Sequence, residues 1–517
     1  MLNSIARASG LRTQSSRTIS IPAPIGGWNA RDSLGAMAVE DAVTLTNWWP
    51  GTNSVVLRFG YSKFATGITG QVESVISYSG VTANKLFAAA TTNIYNITAG
   101  GVIGAADVSS LTNARWQYIN MRTSSSYLMM VNGADKLRFY DGTNWAKDGD
   151  GAGYDITGVD TATCSNITLF KNRVWLIQDG SLKSWYLPIN SIAGAAVALD
   201  MSSLVQMGGY LVAAMTWTLD AGYGMDDYLV FITSNGETLA WRLTDPTTPT
   251  GISLIGIYQL GAPIGKRCWV KYGGDLLIIT QDGVVPMSGA LQSSRLDPRV
   301  SITNKIQYAM SQSISSYSAN FGWDMLYFPK ENQLILNVPI EQGSQQQQYV
   351  MNNITKSWCN FTGWDANCWA LYQDDPYFGG DGYVGLAWNG LTDDSEEITS
   401  FGLQSFQTYG QANQKQCQMI RYHLFTDGLL SVYGNVNVDY NLADSSAPLD
   451  VIPSQIALWD DAYWDDAVWG DNLLPSATWQ GVTQIGYSFA PLLKTASQEV
   501  QVQWIAADLV FTEGGTL

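Results

Sequence analysis

"DLLIITQDGVVPM", Asp275–Met287, is the phrase on which the fold turns. An apolar run meets Gln-Asp-Gly and resumes as Val-Val. An Asp-Gly pair supplies the positive φ angles of a tight primed turn, and β-branched flanks suit strands, so the phrase predicts a β-hairpin. Relatives of it recur as "KLFAAATTNIYNI", "YLMMVNGADKLRFY", "RVWLIQDGSLKSWY", "YLVFITSNGETLAWRL", "LILNVPIEQGSQQQQYVM" and "YFGGDGYVGLAW". Their turns fall at Asn93, Gly133, Gly180, Gly236, Gly283, Gly343 and Gly382, at spacings of 40, 47, 56, 47, 60 and 39 residues. One strong hairpin in each such interval is what a four-stranded propeller blade gives, and blades must stack because none buries both faces alone. The fold expected is therefore all-β: a β-propeller of six or seven blades over residues 76–400, with additional β-rich terminal regions. The glycines Gly133, Gly180, Gly236, Gly283 and Gly382 should sit at hairpin tips. A pair of β-sandwiches or a β-solenoid is the alternative that the irregular spacing leaves open. "VSITNKIQYAMSQSI", Val300–Ile314, is the best helical stretch and should be an insertion between blades.

Composition agrees with a turn-rich β protein. Apolar residues make up 46% of 517 and charged ones 14%, while glycines (50) outnumber lysines and arginines together (27). No apolar run approaches the roughly 18 residues of a membrane span, so a soluble chain is expected. Residues 1–20 hold Arg7, Arg12 and Arg17 and no acid, and read as a flexible arm that orders against a partner, with plain disorder as the blander alternative. Residues 21–75 are Pro- and Gly-rich at first and form a distinct N-terminal segment. Residues 401–517 carry twelve acids against three bases, −9 of a net −17. Such a surface repels nucleic-acid backbones, because gripping them requires phosphate neutralisation. Within it "WDDAYWDDAVWGDN" spaces Trp459, Trp464 and Trp469 five residues apart, a period of neither helix nor strand. These three tryptophans are the candidate interface anchors, with packing inside the chain as the plainer alternative.

The search for chemistry is mostly negative. The single histidine, His423, lies in "MIRYHLFTDG", which alternates like a strand and suits a structural residue better than a triad member. Cys164, Cys268, Cys359, Cys368 and Cys417 are scattered, without a Cys-x-x-Cys pair, which argues against zinc and for buried free thiols. "DGDGAGYD", Asp148–Asp155, has Ala152 where a calcium loop needs a ligand and reads as an acidic turn. "DGTNW" and "QDGSLKSW" only loosely match the Asp boxes of sialidase-type propellers, and hairpin turns account for both. No Walker or Rossmann glycine pattern occurs. The expectation is a non-enzyme with no catalytic residues, no cofactor and no metal.

Several stretches carry a resemblance. "IPAPIGGWNARDSLGAMAVEDAVTLTNWWPGTNSVVLRFGYSKFATG" (Ile21–Gly67), "SWCNFTG", "PYFGGDGYVGLAW" and the terminal "WIAADLVFTEGGTL" resemble the tail nozzle proteins of short-tailed phages. That family is also called tail tubular protein B or packaged-DNA stabilisation protein. The resemblance spans most of residues 21–517 through short motifs; the Arg-bearing arm and the Trp-Asp-Asp run fall outside it. It implies a structural virion protein of the phage tail, assembled in the host cytoplasm. Six copies would form a tube beneath the head-to-tail adaptor, through which genomic DNA passes without specific binding, with tail fibres or tip proteins as further partners. The alternative from another class is a carbohydrate-binding or carbohydrate-cleaving propeller, for which the many Trp and Tyr side chains would suit sugar stacking.

Overall fold

A computed structural model describes residues 16–151, 153–220, 225–290, 300–410, 413–443 and 473–513. The chain divides into two compact units, one of residues 58–398 and one combining residues 1–57 with 399–517. No helix among the described residues is long and apolar enough to cross a membrane.

The 58–398 unit is a β-propeller. Seven groups of antiparallel strands follow one another along the described chain, the last and the first joined in one sheet by a shared strand. Blade 1 uses the second half of strand Tyr61–Tyr78 with Lys85–Ala90 and Asn93–Asn96. Blade 2 begins at Gln117–Arg122, blade 3 at Cys164–Phe170 and blade 4 at Leu211–Asp220, each with four strands. Blade 5 has three described strands, Trp269–Tyr272, Asp275–Thr280 and Gly283–Pro286. Blade 6 runs from Asp324–Phe328 to Trp358–Thr362, and blade 7 from Cys368–Tyr372 to Asp381–Ala387. The fourth strand of blade 7 comes from the other end of the unit. The first half of Tyr61–Tyr78 pairs with Asp381–Ala387, Tyr61 opposite Ala387 and Gln71 opposite Asp381. One strand thus serves the last blade and the first, and closes the ring. Among the described residues the strand groups number seven, where six or seven blades are expected.

The chemistry of the blades follows from their stacking. Second strands such as Leu276–Ile279 and Leu86–Ala90 are buried throughout, because neighbouring blades cover both faces. They are accordingly written as unbroken apolar runs. Apolar clusters fill the seams: Ile76, Phe87, Leu128 and Tyr140 between blades 1 and 2, and Trp175, Leu211 and Phe231 between blades 3 and 4. Outer strands alternate, as in Ile252–Gln259, where Ile255 and Ile257 are exposed. Polar links add to the seams. Trp116 N donates to Ser74 Oγ between blades 1 and 2, Ala214 N to Asn166 Oδ1 between 3 and 4, and Trp369 N to Asp324 Oδ2 between 6 and 7.

Every predicted turn joins the second and third strands of its blade. Gly133, Gly180, Gly236, Gly283, Gly343 and Gly382 all have positive φ, from 64° to 104°. Asn93 does not: it opens a strand, and the positive φ falls two residues earlier, at Thr91 (50°). Because successive strands are antiparallel, these turns share one face of the propeller with the connections that lead into each first strand. The helix expected within Val300–Ile314 is found as a 3-10 turn, Asn304–Ile306, followed by α-helix Gln307–Tyr317, between blades 5 and 6.

Three expected boundaries move. Residues 16–20, expected within a flexible arm, form part of strand Ser16–Pro22, which pairs with Val502–Glu513. Residues 58–75, assigned from sequence to an N-terminal segment, belong to the propeller, since the strand they form runs unbroken across residue 76. Residues 21–57 join the C-terminal region instead. That unit is a β-sandwich. One sheet pairs Lys415–Thr426 with Val502–Glu513, which pairs in turn with Ser16–Pro22 and Val55–Leu57. The other contains Asp41–Thr46, Ile398–Gln404, Phe489–Ser497 and Ser431–Val438. Trp504 packs edge-on against Trp48 (5.7 Å) and Tyr422 (5.5 Å), and Phe489 meets Phe511 at 6.2 Å.

Candidate functional site at the mouth of the propeller

Trp459, Trp464 and Trp469 lie outside the described residues. The other sequence candidates have structural partners. His423 Nε2 lies 2.7 Å from Asp508 Oδ2, which also takes Arg421 Nη2 at 2.5 Å. Burial would raise the Asp508 carboxyl, but bonds from Arg421 and His423 outweigh it and hold the pKa below the ordinary value. Asp148 is buried and accepts from Ile156 N (2.9 Å) and Thr161 Oγ1 (2.6 Å), which makes it a loop-organising carboxylate. All five cysteines are buried and free, and burial pushes four of their thiols up to about 12 and Cys359 well above its usual value. Such thiols are poor nucleophiles at neutral pH.

A cavity of about 420 Å³ opens on the propeller face that carries the glycine turns. Its wall is built from the loops entering blades 2, 5 and 6, together with the Asn132-Gly133 turn. Three cations converge there. Arg115 donates through Nε and Nη2 to Glu73 Oε1 at 3.1 and 3.0 Å. Lys266 Nζ lies 3.3 Å from both oxygens of Asp179. Arg267, entering blade 5, reaches across to blades 1 and 2, donating to Ser74 Oγ (2.5 Å) and Trp116 O (3.1 Å). Phe321 holds two of them in place, with the guanidinium carbons of Arg115 and Arg267 4.3 and 5.4 Å from its ring centre.

Beneath the mouth lies Asp324, 4.0 Å from Arg267. Burial pushes its carboxyl up to about 6, against the opposing pull of Arg267 and the amides of Trp369 and Met325. The nearby phenol of Tyr118 is also pushed up by burial. The mouth is thus cationic at its wall, aromatic between the cations, and closed below by a buried ion pair. Sequence reasoning missed all of it. The available signal was local: "GKRCW" and "NARW" place three bases directly ahead of first strands in a chain poor in bases.

No protein-family model matches the chain, and no curated protein does. Solved structures give remote likenesses. The extracellular domain of a hybrid two-component system from B. thetaiotaomicron aligns over 74% of this chain and 44% of its own, with 11% identity and a TM-score of 0.41. BBS1N, solved in complex with ARL6DN, aligns over 65% of this chain and 98% of its own, with 11% identity and a TM-score of 0.39. The chain therefore spans less than half the length of the first. Similarity at this level carries no argument, and the fold rests on the strand ladders themselves.

Proposed function

We propose that the chain is a structural protein of a phage virion, forming the oligomeric tail nozzle of a short-tailed phage. In this reading it holds and then passes genomic DNA, as a homo-oligomer, most simply a hexamer, docked on the head-to-tail adaptor. The observation that carries it is that the resembling stretches meet one another at two places. In the propeller, "RFGY" meets both internal motifs. Arg58 is fully buried, paired with Asp393 (2.5 Å) and donating to Thr362 O (2.5 Å) of "SWCNFTG". Tyr61 stacks on Tyr383 (6.1 Å) and meets Phe378 edge-on (5.1 Å), both from "PYFGGDGYVGLAW". In the sandwich, Ile21 and Pro22 of the opening motif pair with Ala507 and Ala506 of the terminal one. That stretches far apart in sequence which share one resemblance also join in space supports the reading more than isolated short likenesses would.

For the glycan alternative, no tryptophan among the described residues is exposed, whereas Tyr210, Tyr308, Tyr440 and Tyr487 are. The test is electron microscopy of the purified full chain, with mass photometry as it is diluted. Closed rings, or rings formed on adding the adaptor, are expected. A monodisperse monomer that never assembles on an adaptor, and binds polysaccharide instead, would overturn the assignment.

A further inference from the structure

We propose that the propeller mouth is a binding site for a sugar acid, a ring bearing one carboxylate and several hydroxyls. The inference is independent of ring assembly and concerns the 58–398 unit alone. The cavity's volume of about 420 Å³ lies within the range of small-molecule sites. Its chemistry narrows the class. Arg115, Lys266 and Arg267 are each already matched to one carboxylate, on Glu73, Asp179 and Asp324. A simple anion therefore meets a field that nearly cancels, and three carboxylates that repel it. A neutral sugar would gain little from the charged ends of Arg115 and Lys266 that remain open to solvent. A ligand that offers a carboxylate to the exposed ends of Arg115 and Lys266, and hydroxyls to the amide-bearing residues of the wall, Asn113, Gln117, Asn132 and Asn320, uses both kinds of lining group.

Three further features fit this pattern. Arg115 and Lys266 are about half exposed, so their charged ends are within reach of a solute. The Gln117 side chain lines the cavity without a hydrogen-bond partner among the described residues, and an amide both donates to and accepts from a hydroxyl. Phe321 sits against both guanidinium groups, 4.3 and 5.4 Å from their carbons to its ring centre, and keeps them together at the cavity wall.

The experiment is calorimetric titration of the full chain with three probes: glucuronate, glucose and inorganic phosphate. Glucuronate should bind, with glucose and phosphate at least about tenfold weaker. Lys266→Gln, a substitution at an exposed side chain, should weaken glucuronate about tenfold while leaving the melting temperature unchanged. Gln117→Ala should weaken it less. No heat with glucuronate overturns the proposal, as does equal affinity for phosphate, which would mark a bare anion site, or for glucose. Unaltered glucuronate binding in Lys266→Gln combined with Arg115→Gln overturns it as well. Ring formation by Lys266→Gln should match the parent protein, so this result and the nozzle reading can fail separately.

Discussion

Gly236 and Gly180 are alike in sequence, each the glycine of a polar turn, yet they should respond very differently to a side chain. At Gly236 (φ 85°) an added Cβ would lie 2.2 Å from Leu260 O and 2.7 Å from Gly261 O, both backbone atoms that cannot swing away. At Gly180 (φ 64°) it would meet nothing within 4 Å. Gly180→Ala should therefore cost about 1 kcal/mol, the left-handed penalty alone, and Gly236→Ala about 3 kcal/mol or more. Urea unfolding of the two variants measures the difference, and equal midpoints would show that the turn clash is relieved elsewhere. Asp324 supplies a pH dependence. Its folded pKa of about 6 lies above the ordinary 3.8, so the folded state takes up the proton first. Its contribution to stability is present below 3.8 and is lost as pH rises through about 6, by an amount on the order of 2–3 kcal/mol. Melting temperatures recorded from pH 4 to 7 should show this slope, and Asp324→Asn should flatten it.

Among the elements, strand Tyr61–Tyr78 has the most to lose. Ala65 is fully buried and paired opposite Val384 in the ladder that closes blade 7. Ala65→Pro removes a ladder donor and brings a ring into a packed site, which should destabilise the propeller by about 3 kcal/mol or more and expose a sheet edge. The same substitution at Val81, in an exposed loop outside the ladder, should be mild. Aggregation of the first variant alone, followed by light scattering, is the expected readout. This strand also shows where the sequence stopped being legible. Second and third strands could be read because burial on both faces writes them as apolar runs around a special-φ turn. Outer strands alternate weakly and vanish into loops. The closing strand carries no local mark of its double role, because pairing across more than 300 residues leaves no nearby trace. The mouth was illegible for a similar reason: Arg115, Arg267 and Phe321 are neighbours only once the ring has closed.

At the scale of the whole molecule, the net charge of −17 and the three distal tryptophans carry the assembly predictions. Replacing Trp459, Trp464 and Trp469 together by Ala should leave the propeller's melting transition in place and weaken ring formation, read by mass photometry on dilution. Rings that persist unchanged at low concentration would remove these residues from the interface. An acidic conduit should also bind duplex DNA weakly, with little dependence on salt, because few counterions are released. Tight, steeply salt-sensitive retention of a duplex would contradict the conduit reading. The closure of the propeller has a mechanical consequence as well. The chain enters from residue 58 and leaves beyond Ala387 at the same end of the ladder between Tyr61–Tyr78 and Asp381–Ala387, where Tyr61 lies opposite Ala387. Tension applied between those two points would peel the ladder like a zipper, one rung after another, instead of shearing all rungs together. Resistance then rests on the first link of the fork, the buried Arg58–Asp393 clasp. Arg58→Met should lower the rupture force measured in an optical trap well before it abolishes folding.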